Sequence, residues 1–319
     1  MRLGFLLGIC LVGAVRADVC DRLVLATRDG TALPIVLRGG ASSSERYAAE
    51  ELRDYTERLV GVRPEILTDA QPLPEKAIVP EVGDGIADIG GTDGFRLRAD
   101  CNRLHIAGEV GRGVLYGVYE VLERFGGCRW WSSWHETVPR LESLGVPVGL
   151  DETQRPAFEM REPYWYDLLE HPEFAARLRV NNRSWRKMPE KFGGDSFRFG
   201  GGLGLCHTFE RLMSPAEFSG AHPEYFAEID GQRVCGARAQ LCLTNPDVLR
   251  IVTERVLERI RKDPTGKFFG ISPNDGPPAC TCAKCRAIDE EEGSQSGTLV
   301  RFVNAVAARV AVEHPDKII

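Results

Sequence analysis

From Phe158 onward the chain alternates short apolar runs with amphipathic helical runs, and that alternation leaves few folds open. Residues 158–166 read as a strand, 172–178 as a helix, and 184–188 and 203–209 as two further strands. Asn245-Pro246-Asp247 then supplies a capping side chain, a proline at the first helical position and an acid in the first turn. Val248, Ile251, Val252, Val256 and Ile260 form the apolar face of that helix. Residues 268–272 read as a buried strand, and Leu299, Phe302, Val303, Val306 and Val310 mark the next helix. Such alternation implies parallel strands joined by right-handed crossovers. A closed eight-fold barrel takes about 250 residues, whereas 158–319 supplies 162. The expectation is an incomplete (β/α)8 TIM-type barrel, its N-terminal half, over residues 156–319, with a five-stranded open α/β sheet as the alternative.

Ahead of it, residues 18–145 read as a smaller α+β sandwich, a sheet with helices on one face. Ser42 with Glu45 three places on is a capping box, and Ala48, Leu52, Tyr55 and Leu59 follow at helical spacing up to Gly61. Strands are expected at 22–27, 34–37, 76–82, 95–98 and 103–107, and a second helix from Gly111 to Phe125. Prolines 139, 147 and 156 mark residues 138–156 as a linker.

The N-terminus sets the compartment. Arg2, an apolar run over 3–15 and the small-residue ending Val15-Arg16-Ala17 read as a signal peptide of residues 1–17. The run falls short of the roughly 20 apolar residues a membrane span needs. The mature chain is therefore expected to begin at Asp18 and to be secreted or periplasmic, with an uncleaved anchor as the alternative. With 40 basic against 46 acidic residues, a net charge of −6 and no long charged blocks, nucleic acid and anionic membranes are poor partners. Of ten cysteines nine lie beyond the leader, and export would permit disulfides.

Four stretches carry a resemblance: GVLYGVYE from Gly113 with GCRWW from Gly127, HPEYF from His222, QLCLTNP from Gln240, and Asn274-Asp275 followed by the C-x-C-x-x-C of Cys280, Cys282 and Cys285. Together they resemble the bacterial family called domain of unknown function 4838. That family follows an N-terminal domain similar to domain two of β-hexosaminidases and to the N-terminal domain of α-glucuronidases. The resemblance implies a carbohydrate substrate and a glycoside-hydrolase-like activity on a polysaccharide or glycan, with no cofactor needed for catalysis. A weaker similarity sets Cys206-His207-Thr208 where β-hexosaminidases deliver a Gly-His-Ser/Thr segment, and Asn274-Asp275 where they carry an Asp-Glu pair.

Barrel sites lie at the C-terminal strand ends, so His207, Asn274 and Asp275 are expected to face one cleft. Glycoside cleavage needs two carboxyl groups; Asp275 is one candidate, Asn274 can only orient, and the second is expected beyond Ile319. On that expectation the 319 residues are a truncated, inactive fragment of an enzyme. Trp165, Asn182, Trp185 and Arg161 are candidate substrate contacts, Arg161 suiting a carboxylated sugar. Trp130-Trp131 reads as an interdomain wedge, and a tight turn is the alternative for Asn274-Asp275-Gly276. Cys280, Cys282 and Cys285, with Cys242 as the fourth member, can hold a structural zinc or pair as disulfides. A non-catalytic glycan-binding protein stays open as the other functional class.

Overall fold

The computed structural model describes residues 20–83, 93–183, 185–195, 197 and 199–319, and the expected leader at 1–17 lies outside them. The chain divides into two compact units, Met1–Gly194 and Asp195–Ile319.

Two strands open the first unit, β1 (Arg22–Thr27) and β2 (Ile35–Leu37), followed by α1 (Ser43–Val60). Ser42 and Glu45 form the expected capping box, and Gly61 closes the helix in the left-handed region. Next come β3 (Ile66–Thr68), β4 (Ala77–Val82), β5 (Phe95–Ala99), β6 (Arg103–Gly108) and α2 (Gly111–Arg124). A hairpin of β7 (Arg129–Ser132) and β8 (His135–Thr137) precedes β9 (Ser143–Pro147) and β10 (Asp151–Gln154).

Strands β10-β5-β6-β4-β2-β3 make a six-stranded mixed sheet, parallel from β6 through β4 and β2 to β3. Helices α1 and α2 pack on each other and on this sheet, burying Leu52, Leu59, Leu115 and Leu122 against Ile78, Leu97, Leu104 and Ile106. Gly113 and Gly117 let α2 come that close: a Cβ on Gly113 would meet the Gly94 carbonyl oxygen at 2.3 Å, and one on Gly117 the Ile106 side chain at 2.5 Å. The glycines of the GVLYGVYE run are thus a packing device.

Three sequence expectations are corrected here. Residues 138–156 are not a free linker, because β9 pairs with β1 and β10 with β5; the prolines sit at or beyond strand ends, where no ladder donor is lost. Residues 158–166 form no strand, and α3 (Tyr166–Glu170) and α4 (Pro172–Arg177) follow directly. The unit boundary falls after Gly194, not near residue 150.

Buried charge explains that boundary. Glu51 on α1 accepts from Tyr47, from Tyr119 and from Arg177 of α4 at 3.0, 3.1 and 3.1 Å. Asp93, one-tenth exposed, takes Arg112 at 2.9 Å and Arg161 at 2.5 Å. Arg112 also donates to the Gly193 and Gly194 carbonyls, and Tyr116 to the Val180 carbonyl. The contacts of Arg177, Arg161, Val180, Gly193 and Gly194 tie the segment after residue 157 to α1, α2 or the loop before β5. Trp130, expected as a wedge, is buried in the same core, edge-on to Tyr55 and Tyr119.

The second unit is built from short pieces. Among its described residues are α5 (Phe209–Leu212), α6 (Pro215–Phe218), a two-residue hairpin of β11 (Glu228–Ile229) and β12 (Gln232–Arg233), then α7 (Pro246–Lys262), α8 (Ala283–Glu292) and α9 (Ser296–Glu313). Asn245 caps α7 as expected, accepting from the Asp247 amide at 2.9 Å. Val248, Val252, Val256 and Ile260 of α7 pack with Phe302, Val306 and Val310 of α9 around Phe209 and Phe269. Of the expected strands, 203–209 forms none, since α5 begins at Phe209, and 268–272 contributes only single parallel bridges, Phe199 to Phe268 and Phe268 to Ile318. Their parallel sense, with α7 and α9 between them in sequence, is that of β/α units, but no barrel is formed by the described residues.

Removing one member of a buried pair leaves the other charge uncompensated, at a cost of about 3–5 kcal/mol. Glu51→Ala is therefore expected to destabilise the first unit by that amount in urea unfolding, with Glu50→Ala near neutral as the surface control. Burial pushes the carboxyls of Asp93 and Glu45 up, but Arg112 and Arg161 outweigh it for the first, and Arg38 with the Ser42 and Val82 amides for the second, so both lie below the ordinary value. A folded-state pKa held below the unfolded one stabilises above the unfolded pKa and loses that contribution as pH falls through the folded one. Stability of the first unit should hold at neutral pH and decline progressively below about pH 4, and Asp93→Asn should flatten that decline.

Candidate functional site

Asn274 organises the polar cleft of the second unit. Its side chain is buried and fully engaged: Oδ1 accepts from the Glu210 amide at 3.0 Å and Nδ2 donates to the Ala239 carbonyl at 2.8 Å. Its backbone is clamped by Gln240, whose Nε2 donates to the Asn274 carbonyl at 2.6 Å and whose Oε1 accepts its amide at 3.1 Å. Beside it, the Ser272 amide donates to Thr208 Oγ1 at 2.8 Å and the Phe209 amide to the Ser272 carbonyl at 3.2 Å. Residues 207–210, 238–240 and 272–275 are thereby held together without a β-ladder.

The outcome is a cleft of about 350 Å³ lined by His207, Glu210, Arg211, Arg238, Asn274 and Asp275. His207, Glu210, Arg238 and Asp275 are exposed at its wall. His207 and Arg238 both adopt left-handed backbone, with φ of 56° and 59°. For residues with a Cβ that conformation costs on the order of 1–3 kcal/mol and persists only where surroundings enforce it, which happens disproportionately at ligand sites. The expected grouping of His207, Asn274 and Asp275 is what the structure brings together. Asn274, grouped with Asp275 as catalytic on sequence, uses its side chain to hold backbone.

Sequence reasoning missed Glu210, Arg211 and Arg238. Glu210, a second carboxylate in this cleft beside Asp275, lies three residues after His207 and in the first turn of α5. Following the segment from Cys206 two residues past Thr208 would have reached it. Arg238 has no comparable signal, since only the backbone turn places it.

The other four candidates belong to the first unit. Arg161 is committed to Asp93 and donates to the Arg179 carbonyl at 2.7 Å and the Phe158 carbonyl at 2.8 Å, so its guanidinium holds the fold in place of the expected carboxylated sugar. Asn182 is buried and its amide donates to Glu162. Trp165 and Trp185 are about half exposed, Trp165 edge-on to Phe174 and Trp185 edge-on to Tyr164 at 5.4 Å between ring centres.

A second polar centre lies in the same unit as the cleft. The sulfurs of Cys242, Cys280, Cys282 and Cys285 are all buried and lie within 4.8 Å of one another. Hydrogen bonds from the Cys280 and Cys285 thiols draw the Cys242 thiol well below its ordinary pKa, and the same contact with Cys242 pushes Cys280 up to about 11.

Fold and sites together define an α/β protein with a carboxylate-bearing cleft and a four-cysteine cluster in its C-terminal unit. The chain belongs to the family described as Domain of unknown function (DUF4838), whose model matches residues 130–319. Solved structures with a similar course include BtGH115A, a family GH115 4-O-methyl-α-glucuronidase with specificity for decorated arabinogalactans, at 13% identity and a TM-score of 0.45, covering 87% of this chain and 40% of that one. The GH20 β-N-acetylhexosaminidase of Streptomyces coelicolor A3(2) is 16% identical, TM-score 0.43, covering 92% and 61%. The chitobiase of Flavobacterium johnsoniae is 13% identical, TM-score 0.40, covering 93% and 49%. The chain thus spans between two-fifths and three-fifths of the length of these proteins. No curated protein matches it in sequence.

Asn274→Ala would leave the Glu210 amide and the Ala239 carbonyl without partners, at about 1–3 kcal/mol. Chemical unfolding should show that loss for Asn274→Ala. Exposed Asp275→Asn should stay within about 0.5 kcal/mol of wild type; equal losses for both would show that Asn274 is no organiser.

Proposed function

We propose that this cleft is a glycan-cleaving site and that the protein is an exported, glycoside-hydrolase-like enzyme acting on a polysaccharide or glycan. The observation that carries the reading is the meeting of two exposed carboxylates, Glu210 and Asp275, with His207 and two arginines in one cleft. Hydrolysis of a glycosidic bond asks for one carboxylic acid to protonate the leaving oxygen and a second carboxylate to act as base or nucleophile. Glu210 and Asp275 fill those two roles, and Asn274 holds both their segments. His207 can hydrogen-bond sugar hydroxyls. Arg211 and Arg238 would favour an acidic sugar, since a guanidinium pairs a carboxylate through two parallel hydrogen bonds. In support of export stand Arg2 and the apolar run over 3–15. Among the described residues no helix is long and apolar enough to cross a membrane.

Aryl glycosides and aryl uronides offered to the purified protein test the reading. Turnover is expected for wild type, with kcat lowered about 10²-fold or more in Asp275→Asn and in Glu210→Gln, the scale of a lost acid or base. Unchanged turnover in either variant would remove that residue from the chemistry. Saturable glycan binding without turnover would replace hydrolysis by the non-catalytic binding role.

A further inference from the structure

Three separate stretches of the second unit converge on one point. Residues 222–226 and 240–242 zip together: the Cys242 amide donates to the Tyr225 carbonyl at 2.8 Å, the Ala227 amide to the Gln240 carbonyl at 2.9 Å, and Phe226 bridges Leu241. The stretch 280–285 closes on the same place, with the Thr281 amide donating to the Glu228 carbonyl at 2.7 Å. Where they meet, four buried sulfurs face one another.

We propose that Cys242, Cys280, Cys282 and Cys285 bind one zinc ion in a closed, structural tetrathiolate site. Zinc–sulfur bonds of about 2.3 Å in a tetrahedron place the sulfurs about 3.8 Å apart, and Cys242 Sγ lies 3.8 Å from Cys282 Sγ. A disulfide would bring the two to about 2.0 Å; none of the four is so paired. The surroundings are those of thiolates. The Glu228 amide donates to Cys280 Sγ at 3.2 Å, Thr244 Oγ1 lies 3.2 Å from Cys285 Sγ, and the positive charge of Arg233 acts on Cys242 and Cys280 from nearby. Cys282 occupies the N-cap position of the ten-residue helix α8 and Cys285 sits in its first turn, where the helix dipole favours negative charge. Four thiolates around Zn²⁺ carry a net charge of −2, which Arg233 and the amide donors offset; the four thiol protons leave to solvent on binding.

All four ligand positions are taken by protein, which leaves none for water or substrate and makes the role structural. The anchored segment includes Gln240, two residues before Cys242, and Gln240 is the clamp on Asn274. Zinc therefore fixes the wall from which Asp275 projects, without touching it. This assignment stands whether or not the cleft hydrolyses glycans.

Elemental analysis of wild-type protein purified without chelator should find one zinc per chain, with the four cysteines protected from alkylation in the native state and all four labelled after chelation. Replacement by Co²⁺ should give the intense thiolate-to-cobalt charge-transfer bands and visible d–d bands of a tetrahedral tetrathiolate centre. Peptide mapping that finds disulfides among these four, ready alkylation before any chelator is added, or iron in place of zinc would each overturn the assignment. Because every readout uses wild type, a Cys282→Ser variant that fails to fold does not decide the question.

Discussion

The first unit depends on two carboxylates that have almost no water, Glu51 and Asp93. A buried charge must be matched by another charge and by hydrogen bonds, or it costs several kcal/mol. The matching groups, Arg177 and Arg161, lie beyond residue 157, so the chain cannot end its first unit at the last strand of the sheet. Residues 158–194 are recruited to satisfy α1 and the loop before β5. Arg112, threaded from α2 to the Gly193 and Gly194 carbonyls, fixes the point at which this obligation stops.

That dependence explains which parts of the sequence were legible. Periodicity located α1, α2, α7 and α9, because each buries one apolar stripe and carries a terminal signal such as Ser42 with Glu45, Gly61 or Asn245. Strand positions β1, β2, β4, β5 and β6 were legible for the same reason. Boundaries set by long-range charge were not: nothing local in Arg161 or Arg177 says that its partner lies more than sixty residues earlier in the chain. Proline punctuation misled in residues 138–156, where Pro147 ends β9 instead of marking a linker. In the cleft, His207, Asn274 and Asp275 were legible from motif and order, while Arg238 and Glu210 arrive through backbone geometry that carries no periodic signal. α8 was hidden because its hydrophobic stripe is nearly absent, with Cys285 as its buried residue.

The second unit solves a different problem. Its extended segments meet through single bridges at Phe199, Phe268 and Ile318, so the described residues contain no ladder long enough to hold its loops in register. Buried backbone groups must still be paired. Side chains take over that work: Asn274, Gln240 and Thr208 each bond backbone across more than thirty residues. The family motifs are largely these substitutes for a ladder. QLCLTNP supplies Gln240, Cys242 and the Asn245 cap, HPEYF supplies a 3-10 turn whose Tyr225 carbonyl and Phe226 bridge it pairs with, and the cysteine run closes the assembly.

Side-chain clamps of this kind are stiff only if the segments bearing them are fixed. Gln240 can hold Asn274 no better than residues 239–242 are themselves held, and hydrogen bonds to Tyr225 and Ala227 are few for that purpose. Four sulfurs at one point, drawn from positions 242 and 280–285, join that segment to the start of α8. Zinc held there as proposed would couple that segment to the fold of the whole unit, which isolated hydrogen bonds do not. Strained backbone at His207 and Arg238 must be opposed by rigidity elsewhere in the unit, and the cysteine cluster is where the geometry supplies it. Cleft and cluster are two ends of one chain of contacts that runs from Cys242 through Gln240 and Asn274 to Glu210 and Asp275.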